Sequence, residues 1–250
     1  MSSDHGSSAK AILYAFLANF GIAVTKSGAA IYTNSGSMLA EAIHSFADCA
    51  NQVLLYVGLK QADNPPTPAH PLGYGKVTYF WSFVVALLLF SVGGLFSIYE
   101  GWHKLHEPEE LKQAWIALSV LGVSIVLESF SLLGCLKEIA KLRRGRPFRE
   151  WLVHTRNAEL VVVLGEDVAA LAGLVIAFAF VGAAAYTGDT RLDAMGSIFI
   201  GVVLIIVAAF IVVRIRTLLI GKSAEPMLRE QIDALINQDP DIETLLNTGP

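Results

Sequence analysis

"SMLAEAIHSFADCANQVLLYVGLK", residues 37–60, is the stretch whose reading decides the fold. It is long and apolar enough for a helix that crosses a bilayer, which needs about 20 mostly apolar residues. Yet its first half carries Glu41, His44 and Asp48, and a charge at the bilayer centre costs about 2.5 kcal/mol or more on the insertion scale. On a helix, positions three, four and seven apart share a face. Ser37, Glu41, His44, Asp48 and Asn51 obey that spacing and form one polar stripe, while Leu54, Leu55, Val57 and Leu59 fill the other half of the segment. Such a stripe faces protein, not lipid, so the segment predicts a bundle of spanning helices with a polar interior.

The rest of the chain agrees. Of its 250 residues 54% are hydrophobic and 16% charged, more apolar than a soluble core requires. Six runs meet the length for a span: 10–33, 36–60, 77–102, 113–139, 157–186 and 192–219. The breaks between them ("TNSG", "NPPTPAHPLGYGK", "HKLHEPEELK", "KLRRGRPFREW", "TGDTR") are polar or rich in turn residues, as backbone outside the hydrocarbon must be. Lys141, Arg143, Arg144, Arg146 and Arg149 crowd the fourth break, while the first and fifth hold almost no lysine or arginine. By the positive-inside rule both termini are then cytoplasmic. The expected architecture is an all-α membrane protein: a cytoplasmic tail at 1–9, a six-helix bundle over 10–221, and an incomplete cytoplasmic segment at 222–250. In that last segment Leu228, Ile232, Leu235 and Ile236 share a helical face.

Several classes drop out. A net charge of −4 with no basic arm gives no reason for nucleic acid. Walker, HExxH and GxSxG motifs are absent, so the chain does not read as an enzyme. Cys49 and Cys135 both fall in apolar segments and read as small apolar side chains. The N-terminus lacks the features of a cleaved signal, and with the compact loops this points to a bacterial inner (plasma) membrane, an organelle membrane being the alternative.

A second helix must answer the stripe. The fifth run, "VVVLGEDVAALAGLVIA", places Glu166 and Asp167 side by side. Counted from the cytoplasmic ends at ~1.5 Å per residue, Asp48 lies ~18 Å deep and Asp167 ~15 Å deep, so the two helices can pool their side chains. An imidazole with two or three carboxylates suits Zn²⁺, and tolerates Mn²⁺, Co²⁺ or Fe²⁺. The plainer alternative is a His–Asp pair that joins helices. Glu41, one turn further out, reads as lining an access path. Asn19 and Lys26 share a face of the first run and read as interior packing, Lys26 pairing with Glu128 of the fourth. Gly93 with Gly94, Gly173 with Ala177, and Gly196 with Gly201 read as small-residue faces for close helix approach.

"HSFAD" on the second run, "HPLGYGK" before the third, "LGEDVAALAG" on the fifth and "LDAMGS" opening the sixth together resemble the cation diffusion facilitator family of divalent-metal/proton antiporters. The likeness covers about residues 10–226 and is greatest to the zinc transporter nine branch and its bacterial relatives. It implies an intramembrane site on the second and fifth spans, with His44, Asp48 and Asp167 as metal ligands. The position four before Asp167, often a ligand in the family, is Val163 here, so Glu166 joins the candidates and either carboxylate can be the fifth-span ligand. The likeness further implies alternating access, a homodimer, and a cytoplasmic ferredoxin-like domain that 222–250 is too short to complete. Near "HPLGYGK", His70 and Asp63 offer an accessory metal site or a plain turn, and His103 with His106 a weak outer site or solvated loop histidines. Two rival functions are a non-transporting membrane scaffold or regulatory homologue, and a proton-coupled carrier of an organic solute.

Overall fold

The computed structural model describes residues 4–143, 145–155, 157–221 and 234–237. Helices occupy each expected apolar run. Helix α1 spans Asp4–Thr33 and α2 Gly36–Ala62. Helices α3 (Val77–Leu88) and α4 (Phe96–His106) are joined through a wider π-helical turn, Leu89–Leu95, into one rod. Helix α5 spans Ala114–Leu142, the short α6 Phe148–His154, α7 Ala158–Thr187 and α8 Arg191–Ile220. No β-strand occurs among the described residues. The boundaries have local causes. Ser35 caps α2 by accepting from the Met38 amide at 3.1 Å, and Asn157 caps α7 by accepting from Leu160 at 3.0 Å. Gly188, at φ 75°, ends α7 in the left-handed conformation that favours glycine.

Among the described residues four helical segments are long and apolar enough to cross a membrane: Val77–His106, Ala114–Leu142, Ala158–Thr187 and Arg191–Ile220. Helix α2 is of similar length, but its polar stripe dilutes its apolar content. The surface is apolar as well as the core: Phe130, Val123, Ile206 and Val213 are exposed, while Leu121, Leu174, Ile200, Leu204 and Ile211 are buried. A soluble protein does not expose apolar side chains along whole helices, so this is an all-α membrane protein.

Helix α8 lies at the centre of one half, against α7, α2 and the α3–α4 rod, and α5 closes the other half against α7 and α1. The rod and α8 touch through glycine: a Cβ on Gly201 would lie 2.6 Å from the Gly94 carbonyl oxygen, and one on Gly101 2.6 Å from that of Ala194. This is the close approach expected of Gly94 and Gly201.

The stretch "KLRRGRPFREW", expected from its composition to be loop, holds the start of α6. Trp151 of α6 is buried against Cys135, Ile139 and Leu164, and the Arg214 guanidinium of α8 donates to the Leu152 carbonyl. Both cysteines are free and buried, as expected. Of the tail at 1–9, residues 1–3 lie outside the described residues and α1 is already helical at Asp4. Of 222–250 only 234–237 is described, as helix, so Leu228 and Ile232 of the expected apolar face lie outside it.

Candidate functional site

The α2 stripe divides into two parts. At its start stands Asp193 of α8, 3% exposed. Its Oδ1 accepts from Ser35 Oγ at 2.8 Å and the Ser37 amide at 3.2 Å, and its Oδ2 accepts from the Gly36 amide at 2.5 Å. Ser37 Oγ then donates to the Asp193 carbonyl at 2.7 Å. The first amides of any helix lack intrahelical partners, so a carboxylate from α8 satisfies them and fixes the height of α2 in the bundle. Sequence reasoning missed this joint, although an aspartate opening an otherwise apolar helix was a signal for it.

One turn on, Lys26 of α1 donates from Nζ to Glu41 Oε2 at 3.1 Å and to Ser45 Oγ at 2.8 Å, with Lys26 and Glu41 both buried. Lys26 therefore pairs with Glu41 and not with Glu128, because the adjacent α1 and α2 put a carboxylate nearer than α5 does. Glu41 is fully buried in this pair, not on an open surface, and is not among the described residues that line the cavity below it. Its Oε1 rests on Gly173 of α7, where a Cβ would collide with it. Gly173 thus makes room for a carboxylate, where the sequence reading gave it a face for helix approach.

Below the ion pair lies a cavity of about 190 Å³ between α1, α2, α5 and α7. Four carboxylates line it: Asp48, Glu128, Glu166 and Asp167. Asn19 and Lys26 also face it rather than a packed interior. Ser131 Oγ of α5 donates to Asp167 Oδ1 at 3.2 Å, and Asn51 Nδ2 donates to Glu166 Oε1 at 2.6 Å. Asp48 Oδ1 and Asp167 Oδ2 are buried without a hydrogen-bond partner, as are Asn51 Oδ1 and both ring nitrogens of His44. His44 is fully buried, its Nε2 3.6 Å from Asp48 Oδ2, and is not among the residues lining the cavity. Val163 forms an apolar part of the wall. Among the described residues no three His, Cys, Asp or Glu side chains are set to hold a metal ion as they stand.

The predicted set is thus brought to one place in part: Asp48, Glu166 and Asp167 share the cavity, with His44 adjoining Asp48. Glu128 is the member that sequence reasoning left out. Ser124, Glu128 and Ser131 stand at i, i+4 and i+7 on α5 and all line the cavity, a stripe as regular as that of α2. Buried acceptors without donors are costly. Four carboxylates against one ammonium leave the described cavity wall with an excess of acidic groups.

The other candidate histidines lie apart. His70 closes a turn, donating its amide to the Thr67 carbonyl at 2.9 Å and packing its ring at a tilt against Tyr74, centroids 4.5 Å apart, with Gly73 at φ 77°. Asp63 ends α2. His106 Nδ1 meets the Trp102 carbonyl at 2.9 Å while His103 lies 3.6 Å from Glu107, so the two histidines have separate partners.

Comparison with known proteins gives a match to the cation efflux transmembrane domain over residues 12–220. The "proton-coupled zinc antiporter SLC30A9, mitochondrial" of Xenopus laevis is 35% identical over 217 residues, 86% of this chain and 39% of that protein. Its human counterpart is 32% identical over the same length, covering 38% of that protein. "Metal tolerance protein C4" of Arabidopsis thaliana is 32% identical over 240 residues, 95% of this chain and 52% of that protein. The chain therefore spans about two-fifths to one-half of the length of these relatives.

Proposed function

The chain belongs to the cation efflux family, in the branch of the SLC30A9 zinc antiporters, and on that premise we propose that it exports Zn²⁺ in exchange for protons. The family is one of transporters, not enzymes. The observation that carries this reading is the pair of unpartnered carboxylate oxygens, Asp48 Oδ1 and Asp167 Oδ2, supplied by two helices to one cavity. His44 and Asp48 are the α2 ligands. On α7, Asp167 has an oxygen free, whereas Glu166 is held by Asn51 and serves as alternative ligand or proton carrier. Binding draws these groups together from their present spacing. Mn²⁺, Co²⁺ and Fe²⁺ are further cargo that the same donors tolerate.

Ligand chemistry supplies the coupling. Zn²⁺ binds neutral imidazole and ionised carboxylate, so binding releases protons and an acidic far side competes the metal off. The sign is fixed: apparent affinity falls as pH falls. We assign six spans with both termini cytoplasmic, alternating access to the cavity, and a homodimer. The compact loops favour a bacterial inner membrane. The organelle alternative is favoured by the vertebrate relatives, which are mitochondrial by name.

The test is Zn²⁺ flux into proteoliposomes across an imposed pH gradient. Gradient-driven flux lost in Asp48→Ala is expected. Unchanged flux in that variant overturns the site, and no flux in a folded wild type favours a non-transporting scaffold.

A further inference from the structure

We propose that Lys26 is a built-in counter-cation of the carboxylate cavity, which limits how tightly a divalent ion is held there and so hastens its release. The inference rests on the transport reading above. Among the described residues Lys26 is the only cationic side chain on the cavity wall, facing Asp48, Glu128, Glu166 and Asp167. Were it only a joint between α1 and α2, its bond to Glu41 would suffice. But Nζ also donates to Ser45, which itself lines the cavity and stands three residues before Asp48 on the same face of α2. That spacing sets the ammonium about 5 Å from the level of Asp48 along the helix axis.

The charge has little room to withdraw. Glu41, its partner, is pressed onto Gly173 and fully buried, so the pair stays at the wall. The lysine ammonium is a compact point charge, and a positive charge at this range repels a divalent ion. A carrier needs this restraint, since a site that binds too tightly does not let its ion leave. With four carboxylates and an imidazole at hand, affinity is easily had. Release is the step that needs help.

Zn²⁺ binding by titration calorimetry and flux in proteoliposomes test the proposal, each protein being checked for folding by its melting profile. In Lys26→Met combined with Glu41→Gln, no buried carboxylate loses its partner charge, and Zn²⁺ should bind at least about tenfold tighter, with KM and maximal rate both falling. Lys26→Arg, which keeps the charge, should stay within about threefold of wild type. Glu41→Gln alone exposes the ammonium's full charge to the cavity and should weaken binding by about threefold or more. That variant decides the matter should the double variant not fold. Asp48→Asn is the control. If it abolishes Zn²⁺ binding while neutralising Lys26 leaves affinity unchanged or lower, Lys26 is a structural joint and the proposal fails alone. If Asp48→Asn leaves wild-type binding intact, the cavity is not the metal site and both readings fall.

Discussion

At the start of α2, Asp193 accepts hydrogen bonds from Ser35, Gly36 and Ser37 through its carboxylate and from Ser37 Oγ through its carbonyl. Three turns further along the same helix, Asp48 keeps an oxygen without a partner, and the imidazole beside it has none for either nitrogen. Both aspartates are acidic residues within long apolar stretches, and residue type alone does not separate them. Their surroundings do. The first is a joint, saturated by donors that the helix end must offload anyway. The second stands on a cavity wall where carboxylate acceptors outnumber the protein's donors.

This contrast can be broken by exchanging the two kinds of loss. The largest effect is expected at the cavity: Asp167→Asn should reduce Zn²⁺ flux by at least about 100-fold, without lowering the melting temperature of the metal-free protein, because a buried charge has been removed. Asp193→Ala should do the reverse. It strands two helix-end amides and the Ser35 hydroxyl, costing about 2–4 kcal/mol of stability, while the protein that remains folded binds Zn²⁺ with wild-type affinity. Thermal melts and calorimetry on both variants check this. A stable Asp193→Ala, or a destabilised Asp167→Asn, would erase the distinction.

Between the two regions sits the Lys26–Glu41 pair, and Gly173 probes how firmly it is seated. Gly173→Ala pushes a methyl into the Glu41 carboxylate, an overpacking expected to cost about 1–3 kcal/mol. On the same helix, Gly182→Ala meets only Leu118 Cδ2 at 3.8 Å and should be neutral or stabilising by up to ~1 kcal/mol, through helix propensity. Opposite signs for the two substitutions in a melting assay are the expected result. Equal effects would show that Glu41 has slack.

Much of this was legible in the residues. Apolar run length found the long helices, since lipid leaves the chain little other choice, and the i, i+3, i+4 spacing of polar residues found the stripe of α2. What stayed hidden depends on which helices are neighbours. From the sequence Lys26 can pair with Glu128, but α1 lies beside α2 and the partner that the fold supplies is Glu41. Glu128 was therefore spent on a pairing it does not make, and its place on the cavity wall was missed. Helix α6 was hidden for a different reason: seven residues carry too few turns for periodicity to show, and it is held by Trp151 docking on α5 and α7 residues distant in sequence.

The smallest effect is expected at Ser131, and it asks whether the cavity is shaped or merely acidic. Ser131 donates to Asp167 Oδ1 and so fixes the carboxylate's orientation, leaving Oδ2 unpartnered. Groups that orient metal ligands typically carry about a 10- to 100-fold share of affinity. This hydroxyl is neutral and its bond is long, so Ser131→Ala should weaken Zn²⁺ binding by about tenfold or less, at the low end of that range. The accompanying stability loss should be about 0.5–1.5 kcal/mol. Calorimetric affinity is the deciding measurement, because the direction carries the meaning. Weaker binding makes Ser131 a positioning residue that holds Asp167 ready. Tighter binding would mean that the hydroxyl competes with the ion for Asp167, and that the cavity gains its affinity from acidity without fixed geometry.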